Sequence, residues 1–67
     1  MTNTTALGNK INESGITLTH ISKSMKISRE SLYNKMQGKS EFKASEIQSL
    51  SVILGLTEKE RSRIFFA

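Results

Sequence analysis

The chain has 67 residues, with ten Lys or Arg against six Glu and a net charge of +4 at pH 7. It has no cysteine, which excludes a disulfide scaffold and a thiolate metal site, and its length suits one small domain with a modest core. No apolar run approaches the roughly 20 residues of a membrane span, and the opening MTNTTALGNK lacks the basic start and apolar centre of a signal peptide. A cytoplasmic protein is therefore the expectation, and the basic balance suits a polyanionic partner.

In chain order, the apolar spacing predicts five short helices and no strand. The first runs from about Thr4 to Ser14, with Leu7 and Ile11 one turn apart as its buried stripe. Thr17 caps a second helix that continues to Met25 and turns Leu18, Ile21 and Met25 inward. Ser28 caps a third, over about residues 28–37, which buries Leu32 with Met36 beside it. Phe42 is the expected core plug in the polar loop GKSEF. A fourth helix begins between Lys43 and Ser45, with Ser45 and Gln48 as its capping box and Ile47, Leu50 and Leu54 as its stripe. Thr57 and Glu60 form another box, opening a last helix that carries Ile64, Phe65 and Phe66. Gly15, Gly38 and Gly55 fall where helices should end in a left-handed residue, and Ile16 and Leu56 supply the apolar contact of a Schellman stop. The expected fold is all-α, a compact bundle of five short helices in a single domain over residues 1–67.

The stretch from Thr17 to Gly38, TLTHISKSMKISRESLYNKMQG, carries the functional signal. It reads as two short helices around a tight turn, with the small Ser22 at their crossing and Ile21, Met25, Ile27 and Leu32 filling the wedge. That is the layout of a helix-turn-helix, whose second helix enters the DNA major groove. Two positions run against it. Lys26 stands where the turn wants a glycine with positive φ, at an expected cost of about 1 kcal/mol. Lys35 stands where an apolar residue is usual, so its stem is expected to pack while its ammonium snorkels out. From His20 to Lys43 six basic residues (Lys23, Lys26, Arg29, Lys35, Lys39, Lys43) meet two acidic ones (Glu30, Glu41), while residues 1–19 and 44–67 each balance. The whole net charge sits on this unit.

Other uses of these residues find less support. His20 has no second histidine, no cysteine and no paired carboxylate in helical register, so it is not expected to bind metal or catalyse. Ser22, Ser24, Ser28 and Ser31 have no base or oxyanion arrangement around them, and no glycine-rich phosphate loop occurs. An enzyme is not expected, nor a cofactor or metal. The basic residues do not line one strongly amphipathic helix, which disfavours a membrane surface as partner. Two plainer alternatives stay open at this level: a basic face that serves only solubility, and Tyr33 as a core residue. The closing Ile64-Phe65-Phe66 exceeds what a short end helix can bury in so small a domain. One or two of the three are expected to cover the core and the remainder to meet a second subunit, with a frayed end as the alternative.

Residues from about Leu7 to Phe65 resemble the lambda-repressor-like (XRE-like) family of Cro- and repressor-type helix-turn-helix domains. The resemblance rests on TLTHISKSMKIS, on the recognition-type helix SRESLYNKMQG, and on the fourth helix closing with Leu54-Gly55-Leu56. SRESLYNKMQGKSEF followed by a terminal IFF is most similar to short regulators of Gram-positive bacteria and their phages. The chain differs from better-known members at Leu18, where they carry Gln, and at Met36, where they carry Glu. The resemblance implies a transcriptional regulator, Cro-like, repressing as a weak homodimer on a palindromic double-stranded DNA operator in a bacterial or phage-infected cell. It implies base reading by Ser28, Arg29, Glu30, Tyr33 and Asn34. Arg29 suits guanine O6/N7, Asn34 adenine and Glu30 the cytosine amine. The implied phosphate contacts are Thr17, Thr19, Lys23, Lys35, Lys39, Ser40 and Lys43. The dimer contact is assigned to Ile64, Phe65 and Phe66. The rival expectation is a modulator or antirepressor that binds a repressor protein and has little DNA affinity of its own.

Overall fold

Local caps and stops divide the chain into five helices, and no strand occurs among the described residues, 1–66 of the computed structural model. They are α1 (Thr4–Ser14), α2 (Leu18–Met25), α3 (Arg29–Met36), α4 (Ala44–Leu54) and α5 (Glu58–Phe65). Ala67, the last residue of the expected domain, lies outside the described residues. Each start satisfies an amide that the helix cannot. Asn3 Oδ1 accepts from the Ala6 N–H (3.0 Å), Thr17 Oγ1 from His20 (3.1 Å) and Ser28 Oγ from Ser31 (3.0 Å). Thr57 and Glu60 exchange both bonds of their box, at 3.1 and 2.9 Å. The fourth start differs from expectation. The Ser45–Gln48 box does not form, because the N-cap is Lys43 and the carboxylate of Glu46 accepts the Lys43 N–H at 2.8 Å. An ammonium has no lone pair to return the bond, so Lys43 caps with its backbone alone.

Three helices end in the same way. Ile27 N–H reaches back to Ser22 O (3.0 Å), Lys39 to Asn34 O (3.0 Å) and Leu56 to Ser51 O (2.9 Å), each around a left-handed residue. Gly15 is also left-handed, but the expected Schellman bond is absent there. Ile16 N–H instead meets Ser14 Oγ at 3.1 Å, and that hydroxyl donates to Ile11 O. At the α2–α3 turn the left-handed residue is Lys26, with φ 60°, alone among the described non-glycine residues. An L side chain there is strained by about 1 kcal/mol. Lys26→Gly should therefore stabilise the fold by about that amount and raise Tm by about 4–8 °C, as thermal melts followed by circular dichroism would measure. An unchanged or lower Tm would mean that the strain is relieved elsewhere.

The apolar stripes converge on one core. Leu7, Ile21, Leu32, Leu50 and Ile64 are fully buried, and Ile11, Phe42, Leu54 and Phe65 complete the cluster. Burial of each such side chain is worth about 1.5–3 kcal/mol. α1 packs on α3, α4 and α5, and α2 on α3 and α4. Phe42, in the segment between α3 and α4, meets Phe65 edge to face with ring centroids 5.5 Å apart. The two ends of the chain are joined as well, with Asn3 N–H donating to Ile64 O at 2.6 Å and Lys10 paired to Glu60 at 2.7 Å. These contacts divide the terminal cluster as expected, two residues inward and one outward, and they take Ile64 and Phe65 out of the subunit contact assigned to all three. Ile64 and Phe65 belong to the core, and only Phe66, 64% exposed, keeps its side chain outside.

Candidate nucleic-acid interface

At about 100° per residue, α3 must turn Leu32 and Lys35 to one side and Arg29, Glu30 and Tyr33 to the other. The structure does so. Leu32 and Lys35 are buried, Arg29, Glu30 and Tyr33 are exposed, and Asn34 sits half-buried at the edge of the exposed arc. Tyr33 is 51% exposed, so it lies on the surface and not in the core. Among the described residues, the side chains of Arg29, Glu30, Tyr33 and Asn34 make no hydrogen bond or ion pair. Ser28, also exposed, uses its oxygen to cap α3 and keeps its O–H as a free donor.

The expected phosphate-facing residues divide. Thr17 and Thr19 are exposed at the start of α2, Lys23 in its last turn, and Lys39, Ser40 and Lys43 in the segment leading to α4. Lys35 does not belong with them. It is 8% exposed, and its Nζ lies 2.6 Å from Glu46 Oε1. The inner side of α3 faces the protein, and the ammonium is held by the acid on α4 instead of snorkelling to water. The exposed charges between the start of α2 and the start of α4 are therefore Lys23, Lys26, Arg29, Lys39 and Lys43 against Glu30 and Glu41. A cationic surplus remains around α3 without Lys35. No protein family, curated protein or solved structure matches this chain.

Glu46 is the residue of this region that spacing did not single out. Its Oε1 accepts from both Lys35 Nζ and the Lys43 N–H. Burial pushes its carboxyl up, but the Lys35 and Lys43 hydrogen bonds and their positive charges outweigh that and hold it below the ordinary value. A signal for it existed. Glu46 precedes Leu50 by one turn, so it flanks the buried stripe of α4, where a buried lysine on a neighbouring helix requires an acid.

Glu60 is lowered further, to about 2, chiefly by the Lys10 hydrogen bond and then by the Thr57 amide. Both acids have folded pKa values below the unfolded one, so what they add to stability is complete above about 4.5. It is lost as pH falls through the folded values. Tm should be level from pH 7 to 5 and fall between about pH 4.5 and 2. Glu60→Gln should flatten part of that fall, and a wild-type Tm unchanged at pH 2 would contradict the pairing. Among the described residues, no three His, Cys, Asp or Glu gather as a metal site, and no helix is long and apolar enough to cross a membrane.

Proposed function

We propose that this chain is a sequence-specific DNA-binding transcriptional regulator, Cro-like, which represses as a homodimer on a palindromic operator in a bacterial or phage-infected cell. α2 and α3 are the helix-turn-helix of this reading, and α3 is its recognition helix. One observation carries it: the outer face of α3 presents Arg29, Glu30 and Tyr33 unpaired, while its inner face is fixed by Leu32 and Lys35. Side chains held on a rigid helix and left without intramolecular partners suit base edges. Exposed Lys23, Lys39 and Lys43 supply cations on the flanking segments, as phosphate contacts require.

On a palindromic operator, size supports the dimer of this reading. The longest extent of one protomer is 26 Å, short of the roughly 34 Å between half-sites one helical turn apart. Two copies are needed, and Phe66 is the member of the terminal cluster that remains available to join them.

The test begins with duplexes that the wild-type protein selects from a random-sequence pool. Arg29→Ala should cost roughly 1–3 kcal/mol on the selected duplex and little on a scrambled one, measured by fluorescence anisotropy. Lys39→Ala should weaken both alike and lower the slope of log affinity against log salt by about 1. A flat salt response would remove DNA as the partner. Capture of a co-encoded repressor protein by the Arg29–Asn34 face, with no duplex selected, would make the chain an antirepressor.

A further inference from the structure

We propose that Glu46 is a positioning residue for the nucleic-acid surface, one carboxylate oxygen that locks α3 to the segment 37–43. The inference rests on the DNA-binding reading for its consequence and on geometry for its substance. Glu46 Oε1 accepts from Lys35 Nζ at 2.6 Å and from the Lys43 N–H at 2.8 Å. The first bond fixes the inner face of α3, whose outer face carries Arg29, Glu30 and Tyr33. The second fixes the far end of the segment that carries Lys39, Ser40 and Lys43.

That segment has few other restraints. Its first amides, Gln37, Gly38 and Lys39, bond back to the end of α3, and Phe42 plugs the core. Among the described residues, the amides of Ser40 and Glu41 make no backbone or side-chain bond. Phe42 in the core and the Lys43 C=O, which accepts the Ile47 N–H at 2.9 Å, hold the point where the segment rejoins the fold, and Glu46 adds the side-chain link from that point to α3. Base-facing and phosphate-facing groups must hold a fixed offset to engage one duplex, since phosphate contacts set the register in which base edges are read.

Stability does not account for this arrangement. Two charges buried together lose hydration, and a well-packed apolar pair in their place is commonly no worse. What an apolar pair cannot do is accept the Lys43 N–H while holding α3. The pair is therefore explained by the orientation that it imposes.

Three proteins test the proposal: wild type, K35M/E46L and K35M/E46Q. The first variant fills the space but offers no acceptor. The second removes the ion pair and keeps an amide oxygen for the Lys43 N–H. Amide hydrogen exchange by NMR should show Lys43 exchanging about tenfold faster in K35M/E46L, with the core amides of α1 and α5 unchanged, and protection returning in K35M/E46Q. Discrimination between the wild-type-selected duplex and a scrambled one should fall about tenfold in K35M/E46L, the weight of one misplaced base contact, and recover in part in K35M/E46Q. A purely structural role would move Tm and leave discrimination alone. Equal exchange at Lys43 in all three proteins, or discrimination that follows Tm and not exchange, overturns the proposal. If K35M/E46L does not fold, K35M/E46Q against wild type decides, because unaltered discrimination with the ion pair gone also overturns it. If the wild type selects no duplex, the DNA-binding reading fails while the exchange comparison still decides whether Glu46 holds the Lys43 N–H.

Discussion

Phe65→Ala is expected to cost about 3–5 kcal/mol, the usual loss when a buried aromatic side chain leaves a cavity. Phe65 is 3% exposed and its ring meets Phe42 edge to face, so the substitution removes both burial and an aromatic contact. A chain of 67 residues has a total stability on the order of 3–10 kcal/mol. The variant should therefore be largely unfolded at 37 °C or melt at a urea concentration lower by a molar or more. Phe66→Ala, one position on, should change stability by less than about 0.5 kcal/mol, because that side chain is 64% exposed. Under the proposed dimer on DNA, its effect is expected on assembly: weaker cooperativity on a two-half-site duplex, with helical content and half-site binding intact. Equal melting losses for the two variants would contradict the division of the terminal cluster into core and surface. Loss of neither stability nor cooperativity in Phe66→Ala would move the subunit contact to another face.

That division shows where a sequence stops being legible. Starts and stops are local chemistry, and Thr17, Ser28, Thr57, Gly38 and Gly55 could be read from the residues beside them. The outer face of α3 was legible at Arg29 and Glu30, because 100° per residue separates them from Leu32, while Tyr33 stayed open between surface and core until its exposure was known. Which of three consecutive apolar residues turns inward is another matter. It depends on how α5 meets α1 and on the ring of Phe42, more than twenty residues earlier in the chain. Lys35 failed for the same reason. A lysine on an apolar face snorkels or pairs according to whether a different helix brings an acid to it, and that acid is eleven residues away. The fourth helix start is a separate case, because the bond that sets it, Lys43 N–H to Glu46, spans only three residues. Ser45 and Gln48 match a capping box by spacing, but Glu46 already serves the Lys43 amide while held by Lys35. Local pattern located the elements, and long-range packing decided the polar contacts that orient them.

Glu46→Ala is expected to be the costliest polar substitution in the molecule. It leaves the Lys35 ammonium, with a side chain only 10% exposed, without an ion-pair partner among the described residues. Breaking a buried pair from one side typically costs about 3–5 kcal/mol, because the remaining charge stays desolvated. Loss of the acceptor for the Lys43 N–H adds up to about 1 kcal/mol at the helix start. Some of this is recovered if the lysine stem bends its ammonium outward, so the lower half of the range is the better expectation. Lys35→Met in the same protein should then restore stability, since the stranded charge is gone and a side chain of similar volume fills its place. The double variant would be more stable than Glu46→Ala alone, a sign of coupling that separate surface residues never show. Urea denaturation of the wild type, both single variants and the double variant measures it. Additive losses, or a Glu46→Ala cost below about 1 kcal/mol, would mean that Lys35 reaches water freely and that its contact with Glu46 holds nothing in place.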